Sequence, residues 1–204
     1  MSVSTMVTEV DSSHPNGSDI ASLSPLIQLQ FVSTTVLRQA LDLVENILTS
    51  DDQLTAQSKF LPGSTIGKHL RHARDHFILL IECVSGPAPH IFSYDTRTRN
   101  TPMENNLSEA REALKQVISR VEEVVPTANL DLPLTLNAVT PFMQTFETTF
   151  GRELWFAGLH AVHHWSMVRV IAGELDIKLN DDFGFAPSTL VYKGSEALLG
   201  KAKI

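Results

Sequence analysis

Scarcity narrows the class of this sequence before any motif does. It has a single cysteine, Cys83, so no intramolecular disulfide can form, and such sparing use suits a reducing compartment. The cytoplasm is the expected location. No uninterrupted apolar run approaches the ~20 residues that cross a bilayer, and the densest patch, Phe77 to Ile81, is ended by Glu82. A membrane is therefore not an expected partner. The first 37 residues hold no lysine or arginine, while Glu9, Asp11 and Asp19 are there, a pattern unlike a secretory leader or an arginine-rich transit peptide. Positive charge is also lacking overall. With a formal net charge of −7 there is no field to gather a phosphate backbone, and nucleic acid is excluded as an expected partner.

What is present suffices for one sizeable core, since 43% of the 204 residues are hydrophobic. Residues 1–22, rich in serine and threonine, read as a disordered tail, residues 23–192 as one domain, and residues 193–204 as a C-terminal tail. Ser24-Pro25 supplies a helix cap followed by proline at the first helical position. Leu26, Leu29, Val32, Val36, Leu37, Ala40 and Val44 then recur at helical spacing to near Thr49. Ser50 to Gly63 is polar, closes on Pro62-Gly63 and reads as a loop. From a Ser64 cap a second helix runs to Ser85, stopped by Gly86-Pro87. Pro87 to Asn106 is a long loop carrying Tyr94-Asp95-Thr96-Arg97-Thr98-Arg99, and loops of that length in compact domains tend to be functional. A third helix spans Leu107 to Val125, ended by Pro126. Leu132 to Asn137 and Phe142 to Glu147 alternate apolar and polar residues across a turn, which predicts a hairpin. Thr149 then caps a fourth helix.

That fourth helix, within Gly151 to Gly173, carries His160-Ala161-Val162-His163-His164. At roughly 100° per residue, His160 and His164 stand about 40° apart, one turn from each other, on a stripe shared with Glu153, Phe156, Ala157, Met167, Val168 and Ile171. The spacing suits one metal ion. Opposite lie Trp155, Val162 and Trp165 with Arg169 beside them, so the helix is apolar almost all round. Either a second subunit or the tail, folding back through Phe183-Gly184-Phe185-Ala186-Pro187, must cover the tryptophan face.

The second helix repeats the theme. With His72 at zero, His76 falls near 40° and His69 near 60°, all on one side at the edge of the apolar stripe. Three neutral imidazoles gathered from two helices would leave a coordination position open for water or substrate, the arrangement of catalytic zinc. A lone His-x-x-x-His pair is more often a core or surface pair; two helices that both stack histidines point to a metal. His69 and His76 lie nearer the apolar stripe than His72, so geometry alone slightly favours them. Asp75, one turn from His72, has two readings, a carboxylate that orients a ring or an ordinary surface acid. Glu153 is two turns from His160, too far for easy direct ligation, and is suited to pairing with an arginine. Arg97 and Arg99 would steer an anionic substrate or salt-bridge Asp95. Cys83 reads as a core residue.

Several stretches resemble the DinB-like (DinB/YfiT) superfamily. They are Gly67-Lys68-His69-Leu70-Arg71-His72-Ala73-Arg74-Asp75-His76-Phe77, the Tyr94 to Arg99 loop, Gly151-Arg152-Glu153-Leu154 and the His160 to His164 run, and the likeness extends from about residue 25 to 192. The resemblance implies an all-α fold, a four-helix bundle with a small hairpin before the last long helix and an irregular C-terminal tail. It also implies a divalent ion, zinc, nickel or iron, held by three histidines, commonly in homodimers. By position the ligands it implies are His72, His160 and His164, leaving His69, His76 and His163 as alternative ligands or outer partners. Similar proteins include transferases that use low-molecular-weight thiols, hydrolase-like proteins and a domain of iron-dependent sulfoxide synthases. The synthases follow their second histidine with x-Glu, whereas Trp165-Ser166 stands here, which argues against sulfoxide chemistry. The implied function is activation of a water or thiol at the metal, with a small molecule as substrate. The competing expectation is a non-enzymatic bundle whose metal or histidine network is structural and whose tryptophan face binds a protein.

Overall fold

A computed structural model describes Ile20 and residues 22–96 and 98–201. Four long helices form the body: α1 (Pro25–Asp42), α3 (Ile66–Ser85), α4 (Leu107–Val124) and α5 (Phe150–Glu174). The short helices α2 (Asp51–Thr55) and α6 (Pro187–Tyr192) and a three-stranded sheet, β1 (Ile91–Phe92), β2 (Pro133–Val139) and β3 (Met143–Thr149), complete it. The all-helical bundle with a hairpin before its last long helix is thus the architecture seen. The expected N-terminal tail falls almost wholly outside the described residues, as does Arg97.

Helix starts follow side-chain oxygens that take up otherwise unpaired N–H groups. Ser24 accepts from Ile27 N–H, and Pro25 opens α1, which runs on into a π-helical turn, Leu43–Ile47. Thr149 Oγ1 accepts from Arg152 N–H at the head of α5. At α3 the cap is Thr65, which accepts from Lys68 N–H at 3.2 Å, one residue beyond the expected Ser64. The stretch read as a loop from Ser50 contains α2, because Ser50 and Gln53 form a reciprocal capping box in which Gln53 Oε1 accepts from Ser50 N–H at 3.2 Å. Five residues are too few to show a helical period.

The core runs the length of the bundle, with Leu37, Leu70, Phe77, Leu114, Phe150 and Trp165 fully buried. Helix α3 lies against α5 and α4, and α1 against α4 and α5. Strand β2 pairs antiparallel with β3 and parallel with the two-residue β1, which lies inside the long loop. That loop is held close to α3 at its far end: a Cβ on Gly67 would overlap the backbone carbonyl of Glu104. Beside it the buried Arg71 pairs with Glu104 through Nε at 2.7 Å and with Asp75 through Nη1 at 2.8 Å.

The tryptophan face of α5 is covered from within the chain. Trp165 donates Nε1–H to Val36 O at 2.9 Å, and the Phe183 ring stacks on it with centroids 6.2 Å apart. Gly184 has φ +75°, and a Cβ there would come within 2.8 Å of the Trp165 carbonyl carbon, so only glycine lets the tail lie this close. Arg169 fastens the segment by donating to the carbonyls of Phe183 and Asn180 at 2.9 and 2.6 Å. Trp155 stays half exposed.

Candidate metal centre

Helices α3 and α5 pack with their histidine sides facing. His160 Nε2 lies 3.1 Å from His72 Nε2 and 3.1 Å from His164 Nε2. Two nitrogens bound ~2.0–2.1 Å from a tetrahedral zinc would be about 3.3 Å apart, so these contacts match the separation of shared ligands. The three histidines whose donor nitrogens all lie within 4.8 Å of one another are His72, His76 and His160, so His76 shares with His164 the claim to the third place. His163, by contrast, is exposed, its ring centroid 6.3 Å from that of His160.

His76 and His164 each have an outer partner that bears on the tautomer. His76 Nδ1 lies 3.0 Å from the carbonyl oxygen of His72 and so carries the hydrogen, which leaves the lone pair on Nε2. His69 Nδ1 and His164 Nδ1 are 2.7 Å apart. For His164 to turn a lone pair on Nε2 toward His160, its Nδ1 must carry the hydrogen and donate it to His69 Nδ1. The hydrogen of His69 then sits on Nε2, a buried atom with no hydrogen-bond partner among the described residues. Burial above all, then the neighbouring histidines, lowers the His164 pKa to about 2. Burial first, then His163, lowers that of His69 to about 4. Neutral imidazoles are the ligating form, and this donor set fits a borderline transition metal.

The wall beside the cluster rests on a buried carboxylate. Glu153, 1% exposed, accepts from Tyr94 Oη at 3.0 Å, Thr148 Oγ1 at 2.8 Å and Arg152 Nη1 at 3.1 Å. The Tyr94 ring stacks on His76, centroids 4.4 Å apart and planes 12° apart, and His76 stacks in turn on His160 at 4.0 Å. Burial, then Glu153, raises the Tyr94 pKa and keeps the phenol a donor. Tyr94 is the residue that sequence reasoning missed as part of the centre, although it opens the Tyr94 to Arg99 motif. A lone tyrosine in a loop carries no signal of what it stacks against.

The remaining candidates lie apart from the rings. Asp75 gives its oxygens to Arg71 at 2.8 Å and Arg74 at 3.1 Å. Asp95 accepts Val139 N–H at 2.8 Å, and Arg99 is exposed. Cys83 is part-buried, its thiol pKa raised by burial, and its carbonyl accepts from His90 Nδ1 at 2.9 Å. That environment disfavours a thiolate.

A helical bundle with a cluster of histidines that could hold a metal ion, drawn from two facing helices, is the class that fold and geometry define. The chain belongs to the DinB superfamily, whose profile matches residues 34–168 and so takes in every histidine of the cluster. It is also 33% identical over 161 residues to FK506-binding protein 5 of Rhizopus delemar, a match that covers 77% of this chain and 36% of that protein. The chain thus spans about a third of that relative's length. No solved structure matches it. Among the described residues, no helix is long and apolar enough to cross a membrane.

Proposed function

We propose that this chain is a divalent-metal-dependent enzyme of the thiol-transferase or hydrolase kind, with the ion held by His72, His160 and His164. The observation that carries the reading is the meeting of two Nε2 atoms, from His72 and His164, on His160 Nε2, each at 3.1 Å. A zinc, nickel or iron ion held there would supply Lewis acidity, lowering the pKa of a water or a low-molecular-weight thiol. Around it the chain's own residues have separate tasks. His69 takes the outer hydrogen of His164 and so fixes the nitrogen that faces the ion. His76, wedged between Tyr94 and His160, limits how far the His160 ring can turn. Glu153 holds Tyr94 in that stack through its hydroxyl. Arg99, exposed on the loop, supplies positive charge for a substrate carboxylate, and Arg97 two residues earlier has the same assigned role.

The FK506 binding for which the Rhizopus protein is named is not carried over, because most of that protein lies outside the match. A cytoplasmic setting, with its pool of small thiols, is part of the proposal.

Elemental analysis of protein purified without an affinity tag tests this reading. One transition metal per chain is expected, lost in His160→Ala with the helical circular dichroism kept. Stoichiometric metal in that variant sinks the site. If metal is present, turnover of an electrophile only when a small thiol is added marks a transferase, and thiol-independent cleavage of an ester or amide marks a hydrolase.

A further inference from the structure

The sheet has one edge that nothing closes among the described residues. In the order β1-β2-β3, strand β2 sends Thr135 N–H to His90 O at 2.9 Å and Val139 N–H to Asp95 Oδ2 at 2.8 Å, both on the β1 side. Backbone groups of alternate residues point to opposite sides of a strand. Leu134, Leu136 and Ala138 therefore face β3, and their opposites Thr148, Phe146 and Gln144 face back. It follows that the N–H and C=O of Thr145 and Glu147 point outward. Protected edges carry lysine, proline or a bulge. Strand β3, MQTFETT, has neither residue, its register with β2 is unbroken, and Glu147 is its one charge. Large apolar side chains crowd the same end: Phe142 is 75%, Met143 68% and Phe146 47% exposed.

We infer that β3 pairs antiparallel with β3 of a second copy, about a two-fold axis through Phe146, joining two three-stranded sheets into one of six strands. In that register Thr145 and Glu147 exchange backbone hydrogen bonds with the partner's Glu147 and the partner's Thr145. Phe146 meets the partner's Phe146 as a non-hydrogen-bonded pair, the closer kind, with Cα atoms about 4.5 Å apart. The charge of each strand lies opposite a threonine. Moving the axis to Glu147 would set two carboxylates face to face, and moving it to Thr145 would exchange the aromatic pair for Phe146 against glutamine. The edge is therefore complementary to itself in one register above its neighbours, which a foreign strand would not require. A two-fold contact of this kind closes at two copies.

The test uses the whole chain. Sedimentation velocity should show a dimer at tens of micromolar, the range that a modest strand-pairing interface implies. Phe146→Cys, next to the axis, should cross-link to a disulfide dimer under mild oxidation, whereas Gln144→Cys and the unsubstituted chain with its part-buried Cys83 should not. Thr145→Pro removes an outward N–H without touching the β2 ladder, at the cost of one side-chain bond to Asn137, and should weaken the dimer at least ten-fold with metal content unchanged. The inference is overturned by a monomer across that range, by cross-linking as strong at position 144 as at 146, by assembly beyond two copies, or by a dimer indifferent to the proline. Should Thr145→Pro not fold, the cross-linking pair decides alone.

Discussion

On one side of α5, Trp165 has its indole N–H on Val36, its ring under Phe183 and its backbone against Gly184, all from within the chain. On the other, His160 and His164 meet His72 and His69 through nitrogen–nitrogen contacts of 2.7 to 3.1 Å, where each pair must share a single hydrogen or an ion. The first face is finished by apolar packing and two-centre hydrogen bonds, and its worth is stability. On the second, burial keeps His69 and His164 neutral, and the clustered nitrogens could hold a metal ion. One helix thus carries a packed side and a side of clustered histidines, and substitutions should separate them.

The largest effect is expected on the packed side. Trp165→Ala should cost about 3–5 kcal/mol in denaturant unfolding while metal stoichiometry stays at one, because no ligand is lost. A metal-free Trp165→Ala protein would join the two faces and break the contrast. His160→Ala reverses the pattern: metal affinity, read by competition with a chromogenic chelator, should fall by well over ~100-fold, more than the loss of an outer partner produces. Stability of the metal-free protein should hardly move, since the variant removes a crowded imidazole.

Smaller effects sharpen the same contrast. Gly184→Ala places a methyl in the Trp165 backbone at a φ of +75°, so a loss of about 2–3 kcal/mol is expected, again with metal retained. His69→Gln should weaken metal about 10- to 100-fold by freeing the outer nitrogen of His164, with the fold intact. An ultraviolet-visible spectrum of the cobalt-loaded protein should then broaden or shift, and an unchanged spectrum and affinity would remove His69 from the centre.

The mildest test is pH. His69 and His164, with pKa values lowered to about 4 and about 2 in the folded chain, take up protons near 6.5 once unfolded. Between those limits the unfolded state binds more protons, so the stability of metal-free protein should fall as pH drops from about 6.5 toward 4. Melting temperature against pH checks this. The slope should flatten in His69→Gln and persist in Gly184→Ala.

Much of this was legible in the sequence where a physical rule acts locally. Serine, threonine and proline fixed the helix starts to within a residue, and alternation over Leu132 to Glu147 revealed the hairpin. Two-residue β1 and five-residue α2 were invisible, because neither is long enough for a period to repeat. Wheel geometry put His69, His72 and His76 on one side of α3 and leaned only slightly to His69 and His76, and the packed structure keeps all three near α5. The choice depends on ring rotation, which spacing does not encode. Glu153, expected to pair with an arginine, does so with Arg152, and its link to the rings runs through Tyr94, a residue from another element. Whether tail or subunit covered Trp165 was likewise a tertiary matter, decided by where Phe183 lands.

The contact between Gly67 and Glu104 has a use beyond this chain. There is no room at position 67 for even a methyl group while the loop keeps its present course. A relative with alanine or anything larger there must route that loop differently, and the same loop carries the tyrosine that stacks on His76. A single letter in an aligned sequence would then sort relatives by the course of this loop.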